Sequence, residues 1–221
     1  MRVVIAGGHG QIARRLGRLL ARRGDRVAGL IRNGEHAADL LSDGVEPVVC
    51  DLETAAVDEV ARRLAGADAV VFAAGAGPGS GAARKDTVDR GAAVLVADAA
   101  QRVGVRRLVV VSAMGADAPP PPDADPVFAA YRRAKGAADA EVRGRSGLFW
   151  TILRPGRLTD GPGTGRVLLA EPPVDAGAVP RDDVAAVLVA LLDTPGTAGL
   201  TLDLVGGSEP VAEAVAAVAR P

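Results

Sequence analysis

Short runs of consecutive apolar residues alternate along this chain with segments whose apolar positions recur every three or four residues. Val3 to Ala6 form the first run. Residues 10–23 then place Ile12, Leu16, Leu19 and Leu20 on one face with arginines opposite, the pattern of a helix lying on a sheet. The same reading predicts further strands at 27–31, 45–50, 68–72, 107–112 and 149–153, and short ones at 166–169 and 200–205. Helices are expected over 54–64, 86–103, 127–143, 181–192 and 208–219. The strands are too continuously apolar to have a wet face, so they predict a parallel sheet covered by helices on both sides. The 221 residues suit one such domain, the part from 155 to 221 being too short for a second and serving instead as a substrate region.

The first strand runs into Gly7-Gly8-His9-Gly10-Gln11-Ile12-Ala13, spaced G-x-x-G-x-x-A, and then into a helix. A helix start leaves backbone N–H groups without partners at the positive end of the helix dipole, which is where a pyrophosphate binds. Gly7 permits the tight turn, Gly10 lets a phosphate approach the backbone, and small Ala13 lets helix and strand lie close. The placement predicts a Rossmann-like, doubly wound α/β fold that seats a dinucleotide from Gly7 to Ile12.

In such a fold the end of the second strand meets the adenosine ribose, and an acid there would bind the 2′-hydroxyl. Arg32-Asn33-Gly34 carries none, and the Arg32 guanidinium matches a 2′-phosphate instead. Charged hydrogen bonds of about 1.5–3 kcal/mol would favour NADP(H) over NAD by about one to two orders of magnitude. The alternative is an arginine solvated in a loop. Asp51, followed by Leu52 beyond the third strand, is either a turn residue or the acceptor for the adenine amino group. Ala73, Ala74 and Gly75 open a run of small residues that lets backbone approach a ligand, and are expected to flank the cofactor.

Tyr131 is the sole tyrosine, and it stands four residues before Lys135, one of two lysines. On a helix these positions share a face. An ammonium about 4 Å from a phenol, at an effective dielectric near 20, is worth about 4 kcal/mol, enough to move the phenol toward neutrality. A phenol so tuned exchanges a proton with a carbonyl as hydride is transferred, and the lysine can also hold the nicotinamide ribose. Ser112, at the carboxyl end of the fifth strand, is positioned to hydrogen-bond the same oxygen. Solvated or merely half-buried roles for these side chains stay open, and Asp182-Asp183 is expected to cap a helix.

Composition narrows the classes. A formal net charge of −1 argues for a small-molecule substrate and against nucleic acid or an acidic membrane. No apolar run reaches transmembrane length. One cysteine, Cys50, excludes an intrachain disulfide and suits a reducing cytoplasm; two distant histidines give no zinc-type spacing, so no metal is expected. Aromatics make up only 2% of the residues, leaving Phe128, Phe149 and Trp150 as candidates for stacking a flat ligand.

The combination of Gly7 to Ala13, Val110-Val111-Ser112-Ala113-Met114-Gly115, Tyr131-Arg-Arg-Ala-Lys135 and Leu153-Arg154-Pro155-Gly156 resembles the atypical, NmrA-like branch of the short-chain dehydrogenase/reductase superfamily over nearly the whole chain. The resemblance implies catalytic Ser112, Tyr131 and Lys135, an NADP-selecting Arg32, and Pro155 beside the cofactor. It sets Asp89 where the main branch has a catalytic Asn, a replacement usual in this branch. The expected activity is NADP(H)-dependent reduction of a carbonyl or similar acceptor. A non-catalytic NADP(H) sensor and a nucleotide-sugar epimerase or dehydratase are the alternatives.

Overall fold

A computed structural model describes residues 1–77 and 79–220; Pro78, within the run of small residues, and Pro221 lie outside it. The chain alternates strand and helix through β1 (Arg2–Ala6), α1 (Gln11–Arg22), β2 (Arg26–Ile31), α2 (Ala37–Ser42), β3 (Glu46–Val49), α3 (Val57–Leu64) and β4 (Ala69–Phe72). A short α4 (Gly81–Arg84) runs through a π-helical stretch, Lys85–Gly91, into α5 (Ala92–Arg102). Then follow β5 (Arg107–Val111), α6 (Pro126–Arg143), β6 (Phe149–Pro155), β7 (Arg157–Thr159), β8 (Arg166–Ala170), β9 (Ala178–Pro180), α7 (Arg181–Asp193), β10 (Leu200–Gly206), β11 (Glu209–Pro210) and α8 (Val211–Val218).

Nine strands among the described residues form one sheet in the order β11-β8-β10-β6-β5-β4-β1-β2-β3. From β3 to β10 every pairing is parallel; β8 runs antiparallel against β10, and β11 against β8. Side chains alternate across the sheet, so Val3 and Ile5 join one core with α1, α7 and α8, while Val4 and Ala6 join the other with α3, α5 and α6. Leu16 and Leu20 of α1 are fully buried, each contributing about 1.5–3 kcal/mol. The doubly wound α/β expectation is thus met.

Strand order reverses at β1, whose neighbours are β2 and β4. A crevice forms at such a switch point beyond the carboxyl ends of the strands, and the site lies there. The C-terminal region adds a two-stranded parallel sheet, β7 with β9, beside that crevice.

Sequence expectations for 54–64 and 86–103 started or joined helices in the wrong places. Residues 54–56 are not helical, and the long helix begins in π form, a geometry that concentrates at functional sites. Asp182 and Asp183 do not cap α7, which starts at N-cap Pro180 without a side-chain bond. Asp183 instead accepts from the Thr164 N–H and hydroxyl and from the Gly165 N–H, pinning that loop, and Asp182 pairs with Arg15.

Candidate active site

Two adjoining cavities, of about 300 and 970 Å³, share Ala73, Ala74 and Gly75 as a common wall at the end of β4. The smaller has the shape and chemistry of a dinucleotide cradle. Gly7 takes φ +83°, and a Cβ there would come 2.6 Å from Ala74 Cα, so only glycine lets the two backbones approach. Gly8 and Gly10 N–H groups are already bonded, to Leu30 O and Gly7 O at 2.8 and 2.9 Å. The donors left for an anion are the first-turn amides of α1, those of Gln11, Ile12 and Ala13. That turn has neither a side-chain cap nor an acidic residue. Gln11 and Ile12 are not among the residues that line the cavity, so they bear on it only through these first-turn amides.

Asp51 and Leu52 line the other end of the cradle, with Leu30, Ile31 and Arg32 opposite. One Asp51 oxygen accepts the Glu53 N–H at 3.0 Å, so part of its role is to hold the turn. Arg32 is not simply solvated. Its guanidinium donates to Glu53 at 3.1 Å, and Glu53 also accepts from Arg84 and Thr87, which holds its carboxyl below the usual range, Arg84 contributing most. An acid does reach the end of β2, arriving from beyond β3, but it is shared by two guanidiniums, which leaves the trio net positive. His9 and His36, stacked at 3.7 Å, complete this wall, and His9 bonds Asp39.

The larger chamber is lined by Ser112, Tyr131, Lys135 and Pro155, together with Asp89, Lys85 and Phe128. Asp125 caps α6 through the Val127 and Phe128 amides, and Pro126 opens it, which sets Tyr131 and Lys135 on the face turned to the chamber. Phe149 and Trp150 are not here. They begin β6 at the far end of the sheet, Phe149 under the Arg106 guanidinium and Trp150 against the core, because the chamber lies at that strand's carboxyl end.

The shift of the Tyr131 phenol runs opposite to the tuning expected from Lys135. Burial pushes its phenol up to about 12, and the charges of Asp89 and Asp139 add to that. The Lys135 ammonium donates to Val111 O at 3.1 Å, pairs with Asp89 at 3.3 Å and stands 5.9 Å from the Tyr131 ring centroid. Its charge is answered by a carboxylate 1% exposed, so it has little left to stabilise a phenolate. Asp89 also accepts the Ala76 N–H, tying the small-residue loop to the π-helical stretch.

Ser112 donates to Asp139 Oδ2 at 2.9 Å rather than offering its proton to the chamber. Asp139 is fully buried and accepts from Arg154 Nε and Nη2 at 2.8 and 2.7 Å; Arg154, itself 2% exposed, also grips Asp117. Burial raises the Asp139 pKa against the opposing pull of Arg154, and its Oδ1 has no partner among the described residues. Neither Asp139 nor Glu53 stands in a recognisable motif. Lys85 could have been suspected only because lysine is so rare in this chain.

Fold and crevice together define a dinucleotide-binding protein. A family model described as NAD(P)H-binding matches residues 7–195, and the chain belongs to that family. The expected atypical, NmrA-like branch is borne out with it. The chain is 36% identical over 216 residues to the "Uncharacterized sugar epimerase YhfK" of Bacillus subtilis strain 168, covering 97% of this chain and 99% of the relative. It superposes on the "Putative NAD-dependent epimerase/dehydratase" of Bacillus halodurans with a TM-score of 0.90 at 33% identity, over 99% of this chain and 100% of that one. The fold alone is shared with ChuY, named an anaerobillin reductase, from Escherichia coli O157:H7, at a TM-score of 0.79 and 24% identity, over 93% and 97% of the two chains. No described helix is long and apolar enough to cross a membrane.

Proposed function

We propose that the protein is an NADP(H)-dependent oxidoreductase that reduces a small carbonyl-type acceptor. The observation behind this reading is the Tyr131 phenol, beside Ser112 and Lys135, facing a chamber that shares a wall with the dinucleotide cradle. The first-turn amides of α1 would hold the pyrophosphate, the Asp51-Leu52 edge the adenine, Arg32 the 2′-phosphate, and Lys135 the nicotinamide ribose. The reduced nicotinamide, when bound, supplies the hydride.

The chain's own residues do the rest. Tyr131 donates its proton to the oxygen that becomes negative as it is reduced, a role suited to a phenol that stays neutral at physiological pH. Lys135, fixed by Val111 O and Asp89, keeps its ammonium at the cofactor side of the phenol. Ser112 orients the same oxygen by turning its hydroxyl from Asp139, which Arg154 continues to hold. Gly156, Arg157, Leu158 and Gly177 form one wall of the chamber in which the acceptor would lie.

Relatives named as epimerases favour a second reading, sugar-nucleotide epimerisation. That chemistry opens by removing a proton from a hydroxyl, and it needs room for a whole sugar nucleotide beside the coenzyme, which the short region from 155 to 221 is poorly sized to supply. NADPH absorbance followed with a panel of aldehydes, ketones, quinones and flavins tests the proposal. Turnover lost in Tyr131→Phe with NADPH binding retained supports it. Tight binding with no oxidation by any acceptor points to a sensor, and stabilisation by sugar nucleotides alone to the epimerase.

A further inference from the structure

Lys85, the second of the two lysines, lines the larger chamber and belongs to no role assigned above. It opens the π-helical stretch, is 8% exposed, and directs its amine toward Gly77 O at 2.8 Å. That is one acceptor for three donors. Among the described residues it makes no ion pair, although its ammonium stands 5.5 Å from the Tyr131 ring centroid. Of the other cations on the chamber wall, Lys135 is answered by Asp89 and Arg181 by Asp160 at 2.7 Å, while Arg157, which makes no ion pair among the described residues, is exposed to solvent rather than buried. Asp125, also on the chamber wall, is occupied with the amides that start α6.

An ammonium withdrawn from water without a counter-charge is unfavourable unless something else supplies one. Here the missing charge faces an otherwise largely apolar chamber, with Met114, Val127, Phe128 and Leu158 on its walls. Taking that chamber as the substrate chamber proposed above, we infer that Lys85 receives an oxyanion of the substrate. The acceptor is then an amphipathic acid: an apolar body on Phe128 and Leu158, a carboxylate or phosphate on Lys85, and the reducible oxygen at Tyr131. The bond to Gly77 O can stay when the anion arrives, since the ammonium has donors to spare, and the lysine gains charge-assisted bonds.

Calorimetry with the full chain tests this without turnover. NADP+ is titrated first, so that its heat reports on the cofactor reading separately and its presence blocks anions from the α1 terminus. Benzoate, phenyl phosphate and benzyl alcohol follow as probes. The expected result is that at least one of the two anions binds about tenfold to a hundredfold more tightly than the alcohol. Benzoate or phenyl phosphate in the lead identifies the group as carboxylate or phosphate. Lys85→Met removes the margin and Lys85→Arg keeps most of it, with Lys85→Gln as the replacement should the Met variant not fold. Equal affinities for the three probes, no binding of either anion, or a margin that survives loss of the ammonium would each overturn the inference while leaving the cofactor result standing.

Discussion

Arg32→Gln separates cofactor choice from cofactor binding. In the structure the guanidinium is 58% exposed and, among the described residues, engages only Glu53, at 3.1 Å. An exposed pair of that kind is worth about 0.2–1 kcal/mol, which a 2′-phosphate must displace or share. Charge-assisted contacts to the phosphate return about 1.5–3 kcal/mol. The difference, about 1–2 kcal/mol, corresponds to a preference for NADPH over NADH of about fivefold to thirtyfold. Glutamine removes the charge and keeps much of the side chain, so NADPH binding should weaken by about that factor. NADH binding should stay within about twofold. Isothermal titration of both coenzymes into both proteins, at one fixed salt concentration because an exposed phosphate contact is screened, gives all four constants. Equal affinities in the unchanged protein, or a parallel fall in NADPH and NADH binding, would refute the assignment of Arg32 to the 2′-phosphate.

Three further outcomes are expected. The pH profile of kcat/KM for reduction should show no loss attributable to Tyr131 between pH 6 and 10, since a phenol near 12 is protonated throughout; an ultraviolet titration in which this sole tyrosine ionises below pH 10 would contradict this. Gly7→Ala should abolish measurable coenzyme binding and lower stability by about 1–3 kcal/mol, read by calorimetry and urea unfolding, because a Cβ meets Ala74 while φ stays at +83°. Arg107→Met should cost about 1–3 kcal/mol in the same unfolding assay, because it leaves buried acceptors unpaired. That half-buried guanidinium, whose pKa burial pulls down to about 10, binds Phe149 O, Leu191 O and the hydroxyls of Thr151 and Thr197, tying β5 to the C-terminal region.

Periodicity carried the layered architecture well. The α1 stripe, the continuous valines of β5 and the glycine turn each act locally, so their meaning survives without the rest of the fold. Six-residue α2 and three-residue β7 and β9 escaped because elements that short complete no period. At the site, spacing correctly put Tyr131 and Lys135 on one face, yet it was silent on where the ammonium ends. Val111 O and Asp89 decide that, and both arrive from other elements. The same holds for Glu53 beside Arg32 and for Asp139 under Ser112, separated by 21 and 27 residues. Electrostatic tuning is set by burial and by such distant partners, and a one-dimensional pattern records neither.

The account stands on one arrangement: a coenzyme seated at the amino end of α1 with its nicotinamide beside Tyr131. A crystal of the protein grown with NADPH tests it most directly. Density should place the pyrophosphate on the Gln11 and Ile12 amides, the 2′-phosphate at Arg32 and the nicotinamide in the chamber with the Tyr131 hydroxyl. An ordered coenzyme bound elsewhere, or the crevice empty at saturating NADPH, would contradict it.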